Sequence, residues 1–166
     1  MTQPENEERV LHATPDEPEA ILVAVDASSG VERIINMAVR LGRAMPDSTI
    51  HVLHVFKSSR LDRARAGAPP PPSSDAIEDA KEHLNHCAKD LRRKTRATVV
   101  QHFVLGDPPA EILRLAKELD IDMLVVGTHD YVGFERFLLG SVAESLMRKV
   151  GCPILIVRPK NHKHGS

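Results

Sequence analysis

Two short segments combine residues that could hold an anion. Gly127 follows an apolar stretch, and Gly140 with Ser141 comes after a gap of nine residues that follows Asp130. An apolar pattern typical of a helix covers residues 142–150. Glycine lets the backbone pass close to an anion, and the first turn of a helix offers unpaired N–H groups to it. The spacing therefore indicates a phosphate-binding site at a junction between a strand and a helix.

Asp130 lies inside this motif and works against phosphate binding. Two unit negative charges about 4 Å apart repel by roughly 4 kcal/mol at an effective dielectric constant of about 20. Either the Asp130 side chain points to solvent, or it helps to hold Mg²⁺, which prefers carboxylate and phosphate oxygens. Arg136 could offset the charge, although a single arginine in a loop is more often solvated. We expect phosphate binding here to be weakened or to depend on Mg²⁺.

The composition argues against nucleic-acid and membrane partners. Aromatic residues make up 3% of the 166 residues and Trp is absent, whereas base-stacking surfaces need aromatic faces. The net charge of -1 gives no overall field that would draw the protein to nucleic acid or to an anionic membrane. No apolar run approaches the length of a membrane span. The length fits one domain with a single core.

The cysteines and the first residues bear on the cellular compartment. Cys87 and Cys152 are too few for a disulfide framework, which indicates a reducing compartment. Cys152 precedes Pro153 at the last predicted strand, and we expect it to be a small buried residue. The first residues are acidic and lack the apolar centre of a signal peptide. The expected location is the cytoplasm.

Strand and helix patterns alternate along the chain. Apolar runs without polar alternation are typical of strands that are covered on both faces, as in parallel sheets. The predicted strands cover residues 20–25, 49–55, 97–105, 121–127 and 153–157. Helices are expected after local capping signals, which are Ser29 with Glu32, Asp75 with Glu78, Asp107 with Pro108, and Ser141 with Glu144.

This order predicts an α/β fold, a five-stranded parallel doubly wound sheet. We expect its strand order to be 3-2-1-4-5. Such a sheet binds ligands beyond the carboxyl ends of its strands, where the strand order reverses. If strand 1 lies between strands 2 and 4, the crevice lies between strands 1 and 4, which end at Asp26 and Gly127. These two residues are therefore expected to border one ligand site.

Three segments are expected to lie outside the packed part of a domain that covers residues 19–158. Residues 1–18 are predicted to be a flexible acidic tail, and residues 159–166 a polar tail. Residues 57–74 contain a run of prolines and are predicted to be a mobile surface loop. The reason is that such a length without structure is unusual inside a compact domain.

Each of these site residues also has a purely structural explanation. Ser141 with Glu144 forms a capping-box sequence, so Ser141 could simply cap the last helix. Asp26 could cap the first helix, and Gly127 and Gly140 could be ordinary turn glycines. Two glycines at this spacing, on these element ends, favour a close approach of the backbone to a ligand.

Several short motifs occur in an order that resembles the universal stress protein family. The resemblance covers about residues 19–158, and the motifs are specific only in combination. It implies the layers of the flavodoxin-like and adenine nucleotide alpha-hydrolase-like folds. The motifs are Ile-Leu-Val-Ala-Val-Asp ending at Asp26, Leu-His-Val ending at Val55, Val-Leu-Gly-Asp-Pro ending at Pro108, Leu-Val-Val-Gly ending at Gly127, Leu-Leu-Gly-Ser-Val ending at Val142, and Cys-Pro-Ile-Leu-Ile-Val ending at Val157.

The resemblance also implies a nucleotide site. ATP-binding members of the family carry Gly-x-x-Gly, nine residues, and then Gly-Ser or Gly-Thr, whereas here Asp130 replaces the second glycine. By this resemblance Asp26 takes the ribose or adenine side, and the backbone of Val55 meets adenine. The ligand implied is ATP, with Mg²⁺ as an option. The residues implied to hold its phosphates are Gly127, Thr128, Gly140, Ser141 and Val142.

The family resemblance implies a homodimer that forms by edge-to-edge pairing of the fifth strands, residues 153–157. Two functional hypotheses follow, and both describe such a dimer. In the first hypothesis the chain binds ATP and acts as a stress-response and signalling module, with the 57–74 loop as a readout. In the second, Asp130 has abolished nucleotide binding, and the chain acts as a dimeric interaction module.

Neither a catalytic centre nor a metal site is expected. The sequence contains neither a nucleophile elbow nor a P-loop, and residues 127–141 contain no lysine. ATP hydrolysis should therefore be very slow at most. Residues 26–30 are too poor in glycine for an adenylyl-transferring enzyme on a similar fold. His83, His86 and Cys87 have a spacing compatible with metal ligation, but Cys87 lies on the apolar stripe of its helix. This favours a core cysteine with two surface histidines.

Overall fold

The computed structural model of the protein describes residues 20–26, 30–57, 73–128 and 140–158. The two predicted tails, the capping role of Ser29, and the positions of Asp130 and Arg136 lie outside these residues. The central part of the predicted 57–74 loop also lies outside them.

Strands and helices alternate throughout the described residues. Five strands and four helices occur in strict succession, which is the pattern of a parallel sheet with helical crossovers. In chain order they are β1 (Ala20–Val25), α1 (Val31–Ala44), β2 (Thr49–Lys57), α2 (Ser74–Lys94), β3 (Thr98–Gly106), α3 (Pro108–Glu118), β4 (Met123–Gly127), α4 (Ser141–Lys149) and β5 (Ile154–Val157).

The five strands form one sheet in the order β3-β2-β1-β4-β5, and every pairing is parallel. This confirms the predicted fold class and strand order. β1 is the central strand, with Val23 opposite Val52 on one side and opposite Val125 on the other. The carboxyl ends of β1 and β4 therefore lie side by side at the point where the strand order reverses.

Helices cover both faces of the sheet and give two apolar cores. Ile21 and Val23 of β1 pack into the core that includes Ile34 of α1 and Leu84 of α2. The opposite face, which includes Leu22 of β1, packs against α3 and α4. All three β1 side chains are fully buried, which explains why this strand is apolar without alternation.

The ends of several elements differ from the predicted ones. β2 continues to Lys57 because β3 pairs with it as far as Gly106. α2 begins at Ser74, and the extended Ser73 caps it by accepting a hydrogen bond from the Ala76 N–H at 3.2 Å. The predicted capping role of Asp75 with Glu78 was therefore wrong, since Asp75 already lies inside the first turn.

Smaller differences affect β3, β4, β5 and Cys152. β3 runs one residue later than predicted, β4 begins at Met123, and β5 begins at Ile154. Cys152 is half-buried rather than buried, because it lies in the bend before the edge strand β5. The Asp107 cap of α3 is confirmed, with its carboxylate accepting from the Ala110 N–H at 3.3 Å and Pro108 at the first helical position.

None of the helices in the described part of the chain is both long and apolar enough to cross a membrane.

Candidate functional site

A cleft with a volume of about 570 Å³ lies across the carboxyl ends of β1, β2 and β4. Its floor is made by the last residues of these strands. Its walls come from α1 and from the first turns of α3 and α4. A concave site with apolar walls and a few polar groups at its edges is typical of a small-molecule binding site. The cleft lies at the predicted crevice between β1 and β4.

The cleft brings together most of the residues that the sequence singled out. Thr128 lines a small cavity next to the cleft, which shares Asp26 and Gly127 with it. Asp130 lies outside the described residues. The predicted residues that line the cleft itself are Asp26, Val55, Gly127, Gly140, Ser141 and Val142.

Gly127 is closely packed against α1. A Cβ atom at this position would lie 2.7 Å from Cδ1 and 3.3 Å from Cγ1 of Ile34, whose side chain is buried. Gly127 ends β4, and the next residue, Thr128, donates its N–H to the carbonyl oxygen of Val157 at 3.1 Å. The absence of a side chain at Gly127 therefore lets α1 lie directly on the end of β4.

Gly140 forms the N-cap of α4, with φ −56° and ψ 147°. Its carbonyl oxygen accepts the Glu144 N–H at 2.9 Å, and no side chain in the described part of the chain caps this end. The first-turn N–H groups, from Ser141 onwards, border the cleft. An uncapped helix start of this kind attracts anions through its N–H groups and its dipole.

The capping box predicted for Ser141 and Glu144 does not form. The helix begins one residue earlier than that motif requires, so Ser141 is the first helical residue rather than the cap. Glu144 instead pairs with Arg148, one turn later, with an N–O distance of 2.8 Å. The exposed Ser141 side chain at the cleft is therefore not used to cap the helix.

His54 is among the residues that line the cleft, and no role was predicted for it from the sequence. The residue is 6% exposed, and its Nδ1 lies 3.1 Å from the carbonyl oxygen of Val25. Its ring stacks on Phe103 with a centroid distance of 5.8 Å and an interplanar angle of 16°. One signal could have found it, namely a histidine near the end of an otherwise buried strand beside Asp26.

Burial lowers the pKa of His54, because it disfavours the charged imidazolium. The hydrogen bond to the Val25 carbonyl acts in the opposite direction. His83 lowers this pKa further, and Asp26 raises it. The net direction is downward, which favours the neutral imidazole.

The remaining walls are mainly apolar, and none of their residues was predicted from the sequence to belong to the site. Phe56 and Ile34 lie on one side, and Pro108 and Ile112 of α3 lie on the other. Lys57 and Asp107 supply charge at the rim. These positions belong to three separate elements, and no local motif connects them.

The described residues contain no group of three or more His, Cys, Asp or Glu side chains that could hold a metal ion. Cys87 is buried, with Sγ 3.8 Å from Nε2 of His83, while His86 is exposed on the same helix. Burial raises the pKa of the Cys87 thiol, and the nearby Asp90 raises it further. The predicted core cysteine is confirmed, and the three side chains do not converge on one point.

Comparison with known proteins gives relatives over most of the chain. A model of the universal stress protein family matches residues 18–158. A putative universal stress protein of Staphylococcus aureus (strain USA300) is 32% identical over 149 residues, covering 83% of this chain and 82% of the relative. Universal stress protein MJ0577 of Methanocaldococcus jannaschii is 32% identical over 84 residues. That match covers 51% of each chain, so it spans about half the length of this relative.

Solved structures share the fold. The structure of MJ0577 superposes with a TM-score of 0.69 at 24% identity, covering 86% of this chain and 97% of that chain. A universal stress protein from Archaeoglobus fulgidus, solved in complex with dAMP, gives a TM-score of 0.60 at 25% identity, covering 82% of this chain and 95% of that chain. With a family model that matches most of the chain and a relative of 32% identity that aligns over most of its length, the chain belongs to the universal stress protein family.

Proposed function

We propose that this chain binds an adenine nucleotide, with ATP as the expected ligand, and acts as a dimeric stress-response module rather than as an efficient enzyme. The observation that carries the proposal is the uncapped start of α4, which borders the same cleft as the ends of β1 and β4. The complex of the Archaeoglobus fulgidus relative with dAMP supports the choice of an adenine nucleotide.

The two sides of the cleft suit the two ends of a nucleotide. The apolar side, with Val55 and Phe56, suits a planar base, and the backbone of Val55 offers hydrogen-bonding groups to its edge. The opposite side, with Gly140 and Ser141, suits phosphates, because free N–H groups and the positive end of the helix dipole stabilise negative charge there. Asp26 lies between the two sides and suits the ribose hydroxyls.

A second candidate function is a family member that has lost nucleotide binding. It is favoured by Asp130, which replaces a glycine of the ATP-binding pattern. The two candidates differ in whether the cleft is occupied, so a binding measurement separates them.

Titration calorimetry with ATP, in the presence and absence of Mg²⁺, tests the proposal on the wild-type protein and on Asp130→Gly. We expect one site per chain, tighter binding by Asp130→Gly without Mg²⁺, and a smaller difference with Mg²⁺. Acid extraction of the purified protein, followed by chromatography, should release adenine nucleotide. A wild-type protein that carries no nucleotide and binds none with Mg²⁺, while Asp130→Gly binds ATP, would favour the second candidate.

We propose that this chain hydrolyses ATP slowly or negligibly, because the cleft offers few positive groups to a transferred phosphate. Phosphoryl transfer depends on positive groups that stabilise the charge of the transferred phosphate. The described cleft offers backbone N–H groups at α4 and a single lysine, Lys57, at the end of β2. Phosphate release at an ordinary enzymatic rate, measured with excess ATP and Mg²⁺, would contradict this proposal.

The edge strand β5 supports the proposed homodimer. Its four side chains are all half-buried, and in the described structure it pairs only with β4. The carbonyl oxygens of Pro153 and Val157 point to β4, where they accept N–H groups at 2.9 and 3.1 Å. Since backbone groups alternate along a strand, the N–H of Ile156 points outward, where a second copy could pair with it.

Ile156→Pro removes this outward N–H and leaves the hydrogen bonds to β4 in place. We expect the mass measured by light scattering to fall from that of a dimer to that of a monomer. Leu155→Ala, which changes a neighbouring side chain without removing an N–H, is the matched control. A wild-type protein that is monomeric at high concentration would contradict the proposed dimer.

A further inference from the structure

Arg33 of α1 extends along the end of the sheet as far as β5. Its Nη1 donates a hydrogen bond to the carbonyl oxygen of Arg158, the residue after β5, at 3.3 Å. The preceding carbonyl oxygen, of Val157, accepts the Thr128 N–H at 3.1 Å. The Arg33 guanidinium and the Thr128 backbone therefore bind successive residues at one strand end. This places a positive charge beside the carboxyl end of β4, where phosphates were predicted to bind.

Arg33 also lines the small cavity next to the cleft. Asp26, Ile34 and Gly127 line both spaces, so the cavity adjoins the cleft along the ends of β1 and β4. The cavity has a volume of about 10 Å³, enough for about one water molecule. A phosphate in the cleft would lie at the mouth of this cavity, where the guanidinium reaches it directly or through one water.

The two helices at this point approach from opposite faces of the sheet. α1, which carries Arg33, packs on one face, and α4 packs on the other. The start of α4 has no side-chain cap within the described residues. A ligand above the end of β4 therefore lies between a guanidinium on one side and the N–H groups of a helix start on the other.

Local helix energetics disfavour a positive charge at Arg33. It is the third residue of α1, and a cation in the first turn opposes the helix dipole. Arg93, Arg114 and Arg148 each pair with a carboxylate of their own helix. Arg33 forms no ion pair within the part of the chain that the structure describes. Its hydrogen bond to one carbonyl oxygen uses one of five N–H donors, so the others are available to an anion.

We propose that Arg33 binds the terminal phosphates of the nucleotide, and so selects nucleoside di- and triphosphates over monophosphates. This inference rests on the proposed nucleotide binding and narrows its ligand class. With the ribose at Asp26 and the first phosphate at the start of α4, further phosphates extend over the end of β4 towards Arg33. A guanidinium suits this position, because its paired donors match two oxygens of one phosphate.

This role of Arg33 is compatible with slow ATP hydrolysis. A group that binds the terminal phosphate equally before and during its transfer raises affinity without accelerating the transfer. The hydrogen bond to the Arg158 carbonyl oxygen holds the guanidinium at the strand end, where it serves binding. Arg33 is therefore proposed as a specificity-determining residue and not as a catalytic one.

Calorimetric titration with AMP, ADP and ATP in the presence of Mg²⁺ tests the inference. Arg33→Gln removes the charge and keeps a polar side chain. Arg33→Lys keeps the charge but replaces the planar fork with a single ammonium group. Arg40→Gln is the matched control, because it removes the same charge from an exposed position on α1, about 10 Å further from the strand ends.

We expect the wild-type protein to bind ATP at least about tenfold more tightly than AMP, because only ATP reaches the guanidinium. Arg33→Gln should bind ATP about tenfold more weakly or worse, through loss of a charge-assisted hydrogen bond, and AMP within about twofold of the wild type. ADP should behave as ATP does. Arg33→Lys should recover part of the ATP affinity, and Arg40→Gln should behave as the wild-type protein does.

The ratio of ATP affinity to AMP affinity isolates the phosphate contact, because a distorted site would weaken both nucleotides alike. If this ratio is the same in Arg33→Gln as in the wild-type protein, the role of Arg33 is refuted while nucleotide binding stands. If the wild-type protein binds none of the three nucleotides, the proposed function fails and this inference with it. Should Arg33→Gln not fold, the Nε–H resonance of Arg33 in ¹⁵N-labelled wild-type protein replaces it. Equal shifts of that resonance on saturation with AMP and with ATP would then refute the inference.

Discussion

The two glycines of the sequence motif lie on the same cleft and do different things. Gly127 ends β4, and a side chain there would come within 2.7 Å of Ile34, a buried residue of α1. Gly140 starts α4 with a negative φ of −56°, so its backbone conformation does not demand glycine. One glycine allows two elements to pack, and the other is an N-cap that supplies no capping side chain to its helix.

This difference shows that a glycine spacing alone does not distinguish scaffold from binding surface. Both glycines fit the hypothesis of close backbone approach to a ligand, yet only the neighbours of Gly127 explain its lack of a side chain. A substitution at Gly127 should therefore affect stability, whereas one at Gly140 should affect binding. Three substitutions test this separation.

The largest expected effect is on stability, from Gly127→Ala. The added methyl group would lie 2.7 Å from Cδ1 of Ile34, so the unfolding free energy should fall by about 1–3 kcal/mol, with or without nucleotide. Urea denaturation measures this change. Ile34→Val removes Cδ1. It should therefore lower the unfolding free energy by less in the Gly127→Ala protein than in the wild-type protein. A Gly127→Ala protein as stable as the wild type would show that packing does not require this glycine.

The next effect is on binding, from Gly140→Asp. A carboxylate at the N-cap would occupy the first-turn N–H groups and repel phosphate, so ATP affinity should fall at least about tenfold. Stability should stay equal or rise by a few tenths of a kcal/mol, since Asp is a better cap than Gly. Calorimetry and urea denaturation on the same samples give both quantities.

Gly151→Asp is the matched control for this charge. Gly151 is exposed beyond the other end of α4, and a Cβ there would have no neighbour within 4 Å. We expect it to leave ATP affinity unchanged. Equal losses of affinity in the two variants would mean that the α4 start is not the phosphate site.

The smallest effect on stability is expected from Ser141→Ala. If Ser141 capped the helix, its loss would cost about 1 kcal/mol. Because Gly140 is the cap and Ser141 is the exposed first helical residue, we expect a change below about 0.5 kcal/mol. Thermal unfolding without nucleotide measures it. A loss near 1 kcal/mol would restore the capping-box interpretation that the structure contradicts.

Much of the fold could be predicted because the sequence signals are local and repeated. The unbroken apolar run of β1 indicated a strand buried on both faces, and Asp107 with Pro108 marked the start of α3. The regular alternation of elements predicted a parallel doubly wound sheet, although alternation alone does not fix the strand order, which the structure gives as β3-β2-β1-β4-β5. From these, the position of the crevice between Asp26 and Gly127 could be derived.

The features that could not be predicted depend on contacts between distant segments or on competing local choices. The contact of Gly127 with Ile34 joins residues in different elements, so no spacing reveals it. At α2 and α4 the predicted caps were Asp75 and Ser141, whereas the structure uses the earlier residues Ser73 and Gly140. His54 looked like any strand residue, because its hydrogen bond to Val25 exists only once β1 and β2 pair.

Backbone amide chemical shifts during a titration with ATP and Mg²⁺ test the nucleotide site most directly. In ¹⁵N-labelled protein, we predict saturable shifts that are largest at Ser141, Val142 and Ala143 of the α4 start, together with Val55 at the end of β2. These residues border the cleft from its two sides. An unchanged spectrum at saturating ATP, or shifts confined to residues away from the cleft, would contradict nucleotide binding at this site.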